Sequence, residues 1–242
     1  MSAPPLLALE GVSKRFRGLV AVDEVSFAVP EGAIVGLIGP NGAGKTTIFN
    51  LIAGVFRPDD GRILLGGRNV AGLRPDAACH AGIGRTFQLV RPFAALSVLQ
   101  NVMVGAFHGG ASPAAAERTA REVLERLGLG AKAEVAAHSL TLPERKRLEV
   151  ARALATSPRL LLLDEVMAGL RPVEIDAMVR TFTDLARDMR LTILLTEHVM
   201  RAVMALSHHV IVVHHGQKIC EGTPAEVSRD AKVIECYLGT GA

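Results

Sequence analysis

Residues 39–46 form a glycine-rich segment that ends in a lysine and a threonine. They read Gly39-Pro40-Asn41-Gly42-Ala43-Gly44-Lys45-Thr46, which fits the spacing Gly-x₄-Gly-Lys-[Ser/Thr]. In this pattern backbone N–H groups surround phosphates, the lysine reaches the β- and γ-phosphates, and the threonine hydroxyl ligates Mg²⁺. The segment predicts a nucleoside triphosphate site; a glycine-rich loop without chemistry is the alternative.

Two carboxylates follow an apolar run farther along the chain. Asp164 and Glu165 come directly after four leucines, and a second apolar run ends in Thr196-Glu197-His198. Ligands of open α/β sheets bind at the carboxyl ends of strands. Asp164 is therefore expected to hold Mg²⁺ through water, Glu165 to polarise an attacking water, and His198 to lie near the γ-phosphate. Taken alone, these residues would fit an ordinary strand end.

The elements around these residues have the periodicities that such a site needs. An apolar strand is predicted at residues 33–38, directly before the glycine-rich segment, and a helix carrying Ile48, Phe49 and Ile52 after it. A dinucleotide-binding loop is excluded, because it has no use for Lys45-Thr46. A hairpin turn is predicted at residues 59–61.

The rest of the chain alternates strands with helices. Short apolar runs at residues 160–163, 192–195 and 210–213 predict buried parallel strands. Ser112-Pro113 predicts a helix start, and residues 89–158 are mostly helical. The fold class predicted is α/β, with a parallel-sheet core (1–88 and 159–242), an N-terminal antiparallel β subdomain and an inserted helical lobe (89–158).

Composition limits the classes of partner that the chain is expected to bind. Of 242 residues, 49% are hydrophobic and 21% charged, which is typical of a globular domain. Aromatic residues make up 4% and the net charge is +3, so nucleic acid is not expected as a partner. No apolar run is long enough to span a bilayer and the N-terminus lacks signal-peptide features, so we expect a cytosolic protein whose link to a membrane runs through other chains.

Together these motifs resemble the ATPase family of ABC transporters over nearly the whole chain. The resemblance implies further roles: Gln88, in Arg85-Thr86-Phe87-Gln88, as the Q-loop residue that senses Mg²⁺ and contacts the membrane subunit, and His198 as the switch histidine. Phe16 matches the aromatic that stacks on adenine, with a core phenylalanine as the alternative. Residues 168–171 match the D-loop, although Arg171 replaces a common Asp.

The expected site residues fall into three groups by role. The catalytic group is Glu165, His198 and Gln88; the ATP-binding group is Phe16, Gly39, Pro40, Asn41, Gly42, Ala43, Gly44, Lys45, Thr46, Thr47 and Thr141; the Mg²⁺ group is Thr46, Gln88 and Asp164.

The family's signature, usually Leu-Ser-Gly-Gly-Gln, is altered. The aligned residues are Leu140-Thr141-Leu142-Pro143-Glu144. Thr141 keeps a hydroxyl for the partner's γ-phosphate, whereas Pro143 has no N–H and Glu144 adds a negative charge. Thr141 and Glu144 also have the spacing of a capping box, so the helix itself is expected to be intact.

A narrower resemblance concerns the transported solute. Residues 85–88, 96–102, 221–224 and 233–239 look like the branched-chain amino-acid uptake group. The resemblance implies an ATPase that energises import of such amino acids, with ATP and Mg²⁺ as cofactors. The alternatives are an ABC transporter for another solute, a non-transport ABC ATPase of DNA repair or translation, and a regulatory GTPase. A regulatory GTPase should carry an Asn-Lys-x-Asp motif that reads guanine, and this sequence has none.

The implied partners are other transporter chains. They are two membrane permease subunits, an extracytoplasmic solute-binding protein and a second ATPase subunit, with the chain at the cytoplasmic face of the membrane. The altered signature favours a heterodimer over a homodimer. The pairs His208-His209 and His214-His215 lack the spacing of metal sites and are interpreted as strand-end residues.

Overall fold

Two β-sheets with flanking helices make up the part of the chain that the computed structural model describes, residues 4–86 and 92–238. The strands within these residues are β1 (Leu7–Phe16), β2 (Leu19–Val29), β3 (Ile34–Ile38), β4 (Asp60–Leu65), β5 (Arg68–Asn69), β6 (Ile83–Arg85), β7 (Leu160–Asp164), β8 (Thr192–Thr196), β9 (His209–His214) and β10 (Gln217–Gly222). The α-helices are α1 (Lys45–Ile52), α2 (Pro75–His80), α3 (Val98–Ala106), α4 (Pro113–Arg126), α5 (Leu142–Leu154), α6 (Pro172–Met189), α7 (Met200–Leu206), α8 (Pro224–Val227) and α9 (Ala231–Leu238). In this part of the chain every helix is too short or too polar to cross a lipid bilayer.

The larger sheet is the parallel core that the apolar runs predict. Its strand order is β10-β9-β3-β8-β7-β6, with β10 antiparallel at one edge and the other strands parallel. All residues of β3, β7 and β8 are buried, because helices or the second sheet cover both faces. The carboxyl ends of β3, β8 and β7 are consecutive, so the loops that follow them meet at one edge. The predicted α/β fold class is confirmed.

The smaller sheet is antiparallel, in the order β2-β1-β4-β5. The hairpin turn predicted at residues 59–61 is wrong: residues 60 and 61 begin β4, which pairs with β1. Asp59 instead accepts hydrogen bonds from the Lys14 ammonium (2.8 Å) and the Arg15 N–H (2.6 Å). The Asp59 carboxylate thus links the start of β4 to β1, a strand distant in sequence. Local sequence cannot indicate such a partner.

Two apolar cores lie on opposite faces of the parallel sheet. The alternation along β3 places Ile34 and Ile38 in one core and Val35 and Leu37 in the other. The first core extends into α3, α4 and α5; the second packs α1 against the antiparallel sheet. The glycine-rich segment therefore leaves β3 from between two packed layers, which fixes its position.

The predicted helical stretch contains α3, α4 and α5. Helix α4 begins as predicted, since the Ser112 hydroxyl accepts the Ala115 N–H at 3.3 Å and Pro113 occupies the first turn. Ala120, Val123 and Leu124 form its buried face. These helices contact one another more than they contact the parallel sheet.

Candidate nucleotide site

The glycine-rich segment connects β3 to the N-terminus of α1. Gly39 has φ 154°, and a Cβ there would lie 2.1 Å from the Val213 carbonyl oxygen; Gly44 has φ 104°, and a Cβ would lie 2.5 Å from the Ala21 carbonyl oxygen. Only glycine fits such close backbone contacts at positive φ. The loop is consequently wedged between β9 and β2, with the N-terminus of α1 directed at its concave side.

A chain of backbone hydrogen bonds reinforces this placement. The Gly216 N–H donates to the Ala43 carbonyl at 3.0 Å, and the Asp23 N–H donates to the Gly216 carbonyl at 2.8 Å. The turn between β9 and β10 thus joins the glycine-rich segment to β2. The glycine-rich loop and the antiparallel sheet are held as one unit.

Lys45 is the first residue of α1 and is 8% exposed. Its ammonium donates to the carbonyl oxygens of Gly39 (2.6 Å) and Pro40 (3.0 Å). Burial lowers its pKa, while the facing carboxylates of Glu165 and Asp164 act in the opposite direction. The ammonium therefore lies inside the loop, next to the place that the sequence predicts for phosphates.

Asp164 ends β7 with both carboxylate oxygens engaged. Oδ1 accepts the Thr196 hydroxyl at 2.9 Å, and Oδ2 pairs with the Arg85 guanidinium at 3.0 Å. Arg85 also donates to Asn50 Oδ1 at 2.6 Å. The Thr86 hydroxyl lies between strands, accepting the Asp164 N–H at 3.0 Å. These partners were not predicted, because strand neighbours are invisible in the sequence.

Glu165 and His198 meet across the ends of β7 and β8. Glu165 Oε1 lies 2.7 Å from His198 Nε2. Glu165 has φ 51°, a left-handed conformation that costs energy for a residue with a side chain, and its N–H donates to the Thr196 carbonyl at 2.9 Å. Two of the three residues that the sequence assigns to catalysis are therefore in direct contact.

The glycine-rich segment, Glu165 and His198 border a cleft of about 650 Å³. Its lining comprises Phe16, Leu19, Val20, Ala21, Asn41, Gly42, Ala43, Gly44, Lys45, Thr46, Thr47, Glu165, His198 and His215. The volume and the mixture of backbone N–H groups, one lysine and a few apolar side chains suit a nucleotide. Of the predicted site residues, Phe16, residues 41–47, Glu165 and His198 line this cleft, whereas Gly39, Pro40 and Asp164 are not part of its lining.

Phe16 is 37% exposed, so the alternative of a core phenylalanine is excluded. Its ring packs edge-on against Phe56, with centroids 5.0 Å apart, and the Lys14 ammonium lies 5.5 Å from its centroid. Leu19 and Val20 add exposed apolar surface beside it. Sequence reasoning missed these two residues, because exposed apolar residues in a hairpin carry no distinguishing signal.

The histidine pairs lie at strand ends, as predicted. His209 begins β9 and His214 ends it, while His208 Nδ1 accepts the Ile34 N–H at 3.0 Å. The rings of His214 and His215 stack with centroids 4.0 Å apart. The role of His215 in lining the cleft was not predicted.

Thr141 lies elsewhere, as the residue that precedes α5. The predicted capping box is confirmed: the Thr141 N–H donates to the Glu144 carboxylate at 2.9 Å, and Pro143 occupies the second helical position. The Lys132 ammonium lies 2.6 Å from Glu144, and these hydrogen bonds lower the pKa of Glu144 to about 2. The negative charge of Glu144 is therefore compensated within the chain. Gln88 lies outside the described residues.

Comparison with known proteins agrees with this geometry. The sequence model of the ABC transporter family matches residues 22–168, and one described as "Branched-chain amino acid ATP-binding cassette transporter" matches residues 217–242. The chain is 40% identical to the high-affinity branched-chain amino acid transport ATP-binding protein LivG of Salmonella typhimurium, over 97% of this chain and 98% of LivG. It is 38% identical to BraF of Pseudomonas aeruginosa, with the same coverage. The crystal structure of the ADP conformation of MJ1267, an ATP-binding cassette of an ABC transporter, superposes with a TM-score of 0.89 at 31% identity, covering 98% of this chain and 100% of that one.

Proposed function

This chain belongs to the ATPase family of ABC transporters, and from that premise we propose that it energises the import of branched-chain or related amino acids. Full-length similarity to LivG and BraF supports the proposal, and so does the match of its last 26 residues to a branched-chain amino-acid transporter family. The alternatives weighed above, a non-transport ATPase, a GTPase or a different solute, gain no comparable support.

The proposed solute is tested by transport in cells. Deleting the gene should abolish most uptake of labelled leucine at low external concentration, and the wild-type gene should restore it. A gene with Lys45→Ala should not restore uptake, whereas one with Lys218→Ala should, because Lys218 lies on β10, away from the cleft. Unchanged leucine uptake in the deletion strain would contradict the proposed solute class.

Nucleotide binding is assigned to the cleft. Lys45 would turn from its own loop carbonyls to the β- and γ-phosphates, backbone N–H groups of residues 41–46 would surround them, and Phe16 would stack on adenine. The exposure of Phe16 beside Leu19 supports this orientation of the base.

The oxygen donors at the phosphate end fit Mg²⁺, which prefers hydroxyl, carboxylate and water ligands. Thr46 faces the cleft, and Asp164 would act through water, because Thr196 and Arg85 already engage its two oxygens. Gln88 completes the proposed set. When bound, Mg²⁺ neutralises charge that develops on the phosphates.

Glu165 is the proposed group that polarises the attacking water, with His198 beside the γ-phosphate. Their 2.7 Å contact holds the carboxylate at the cleft wall. Hydrolysis would then depend mainly on positioning and on the electrostatic field around the γ-phosphate.

The proposed assembly has a different ATPase subunit as the partner. Pro143 removes one N–H from the end of α5 that the family uses on the partner's phosphate, and the Thr141 N–H already donates to Glu144. Losing a donor to a charged phosphate costs about 1.5–3 kcal/mol. A homodimer would bear this loss at both sites and a heterodimer at one. The Lys132–Glu144 pair offsets the added repulsion, so the missing donors carry the argument for the heterodimer.

Size-exclusion chromatography of Glu165→Gln protein with ATP tests the proposed heterodimer. A stable homodimer contradicts the proposal.

The remaining proposed partners are two permease subunits and an extracytoplasmic binding protein, which would place the chain at the cytoplasmic membrane face. A mostly apolar groove of about 230 Å³ between α1–α2 and α3–α5 suits a permease helix; Val55 and Val104 line it and are about half exposed. We also propose that the chain divides into a core (1–88 and 159–242) and a helical lobe (89–158).

A further inference from the structure

Lys146 is a buried lysine on α5, outside the nucleotide cleft. Only 6% of its surface is exposed, and its ammonium donates a hydrogen bond of 3.0 Å to the backbone carbonyl of Glu165. An ammonium is rarely buried without a specific partner, because desolvation disfavours its charge. The contact joins the helix that begins at the signature directly to the backbone of the proposed catalytic residue.

Glu197 is a second buried charge at the same place. It is 3% exposed; Oε1 accepts the Met167 N–H at 2.6 Å, and within residues 4–86 and 92–238 no group hydrogen-bonds to Oε2. Its carboxylate faces the Lys146 ammonium and Glu165. A half-satisfied buried carboxylate costs free energy, so its presence needs a compensating charge. Burial raises the pKa of Glu197 to about 7, and the Lys146 ammonium acts against this shift.

The backbone of Glu165 is held on both sides. Its N–H donates to Thr196 on β8, and its carbonyl accepts the Lys146 ammonium from α5. Since φ is 51°, the peptide groups need external partners to stay in this left-handed conformation. Releasing the carbonyl would let the residue relax and move the carboxylate away from His198.

The charges around Lys146 come from several elements. Its ammonium faces Glu197 and Glu165, and also Glu149 on its own helix and Asp164 on β7. Burial lowers the pKa of Lys146 and these carboxylates raise it. Glu149 additionally pairs with Arg152 at 2.9 Å. The carboxylates therefore offset part of the effect of burial on the pKa of Lys146.

We propose that Lys146 is a positioning residue for Glu165, because its ammonium fixes the Glu165 carbonyl. Through this contact the orientation of α5 determines where the Glu165 carboxylate lies. The inference rests on the proposed role of Glu165 in hydrolysis. Lys146 itself lies outside the cleft lining and touches no reacting atom.

The test compares Lys146→Met, which keeps the length but removes the donor, with Lys146→Arg, which retains a cationic donor. In the full-length protein with its transporter subunits, Lys146→Met should lower kcat at least ~10-fold and change KM for ATP less than ~2-fold. Lys146→Arg should recover most of the loss. Lys218→Met, which removes a partly buried lysine on β10 that pairs with Glu221, should leave kcat unchanged.

Combining variants separates positioning from other roles. If Lys146 acts through Glu165, Lys146→Met should lower turnover less than ~2-fold further in a Glu165→Gln background. The neutral double variant Lys146→Met/Glu197→Gln should fold, bind ATP and remain slow, because the carbonyl still lacks its donor. It carries the test if Lys146→Met alone does not fold.

Three results overturn the inference. One is near-normal kcat in Lys146→Met, another is recovery of kcat in the neutral double variant, and the third is a full multiplicative loss on the Glu165→Gln background. Near-normal turnover in Glu165→Gln itself would instead overturn the role of Glu165, so failures of the two proposals are distinguishable.

Discussion

The carboxylate of Glu165 lies 2.7 Å from Nε2 of His198, which joins the loops that follow two neighbouring parallel strands. One loop continues into the D-loop segment, and the other leads into α7. The Glu165 N–H to Thr196 carbonyl and the Met167 N–H to Glu197 carboxylate hydrogen bonds join the same loops, so a movement that separates them must break this set of contacts. The pair is therefore the contact through which the end of β8 reaches the side chain of the proposed hydrolytic group.

Replacing Glu165 by Gln should keep ATP binding and lower turnover by at least ~10²-fold, the scale of general-base loss. The amide preserves the shape of the side chain but accepts no proton. Phosphate release and ATP titration on the same preparation check both parts. Glu117→Gln, an exposed position on α4, is the control and should retain turnover. Near-normal turnover in Glu165→Gln would assign the role to another group.

Replacing Lys45 by Ala should lower ATP affinity markedly while the fold survives. The variant loses the ammonium nearest the expected phosphates and two hydrogen bonds to loop carbonyls. Isothermal calorimetry measures the affinity, and circular dichroism verifies folding. Unchanged affinity in a folded variant would remove the assignment of residues 39–46 to phosphate binding.

Replacing Glu197 by Gln should make the unfolding free energy less sensitive to a rise in pH from 4.5 to about 7. Burial raises the pKa of Glu197 from 4.5 to about 7, so the folded state holds the proton more tightly than the unfolded chain. The resulting stabilisation is complete below pH 4.5 and is lost as pH rises through about 7. Relative to the wild type, the variant should gain up to roughly 3 kcal/mol in unfolding free energy between these limits. Urea unfolding at several pH values measures it, and parallel curves would contradict the shift.

Replacing Val104 by Asp should weaken association with the permease while leaving ATP affinity unchanged. The charge would enter the apolar groove between the helices, where it cannot be solvated once a permease helix is bound. Co-purification with the membrane subunits measures the effect. Val173→Asp, on α6 and 78% exposed, is the matched control. Equal recovery of both variants would place the docking surface elsewhere.

Sequence patterns predicted the parts of the site that one continuous segment encodes. Residues 39–46 and the leucine run before Asp164 carry a motif and a strand signal at the same position, so both their structure and their role could be predicted. Arg85 and Thr196 reach Asp164 only through strand pairing, which brings distant segments together. Lys146 and Glu197 looked like ordinary helix and strand-end residues, because burial of a charge is a property of packing.

The same limit explains the hairpin that was predicted wrongly. Residues 59–61 have the composition of a local turn, but Lys14 and Arg15 on another strand donate hydrogen bonds to the Asp59 carboxylate. Tertiary contacts outweigh local preference where a side chain finds a stronger distant partner. The signature gives the opposite case, since Thr141 and Glu144 interact within four residues and their hydrogen bond was predicted from spacing alone.

The hydrogen bonds from Asp23 through Gly216 to Ala43 tie the glycine-rich segment to the antiparallel sheet. That sheet carries Phe16, so the supports for the two ends of a nucleotide keep a constant separation. The cleft therefore supports the adenine and the phosphates at a fixed distance from each other, which suits any adenine nucleotide of matching length. Of the groups proposed to act at the γ-phosphate, Lys45 belongs to this unit, whereas Glu165 and His198 follow β7 and β8 and lie outside it.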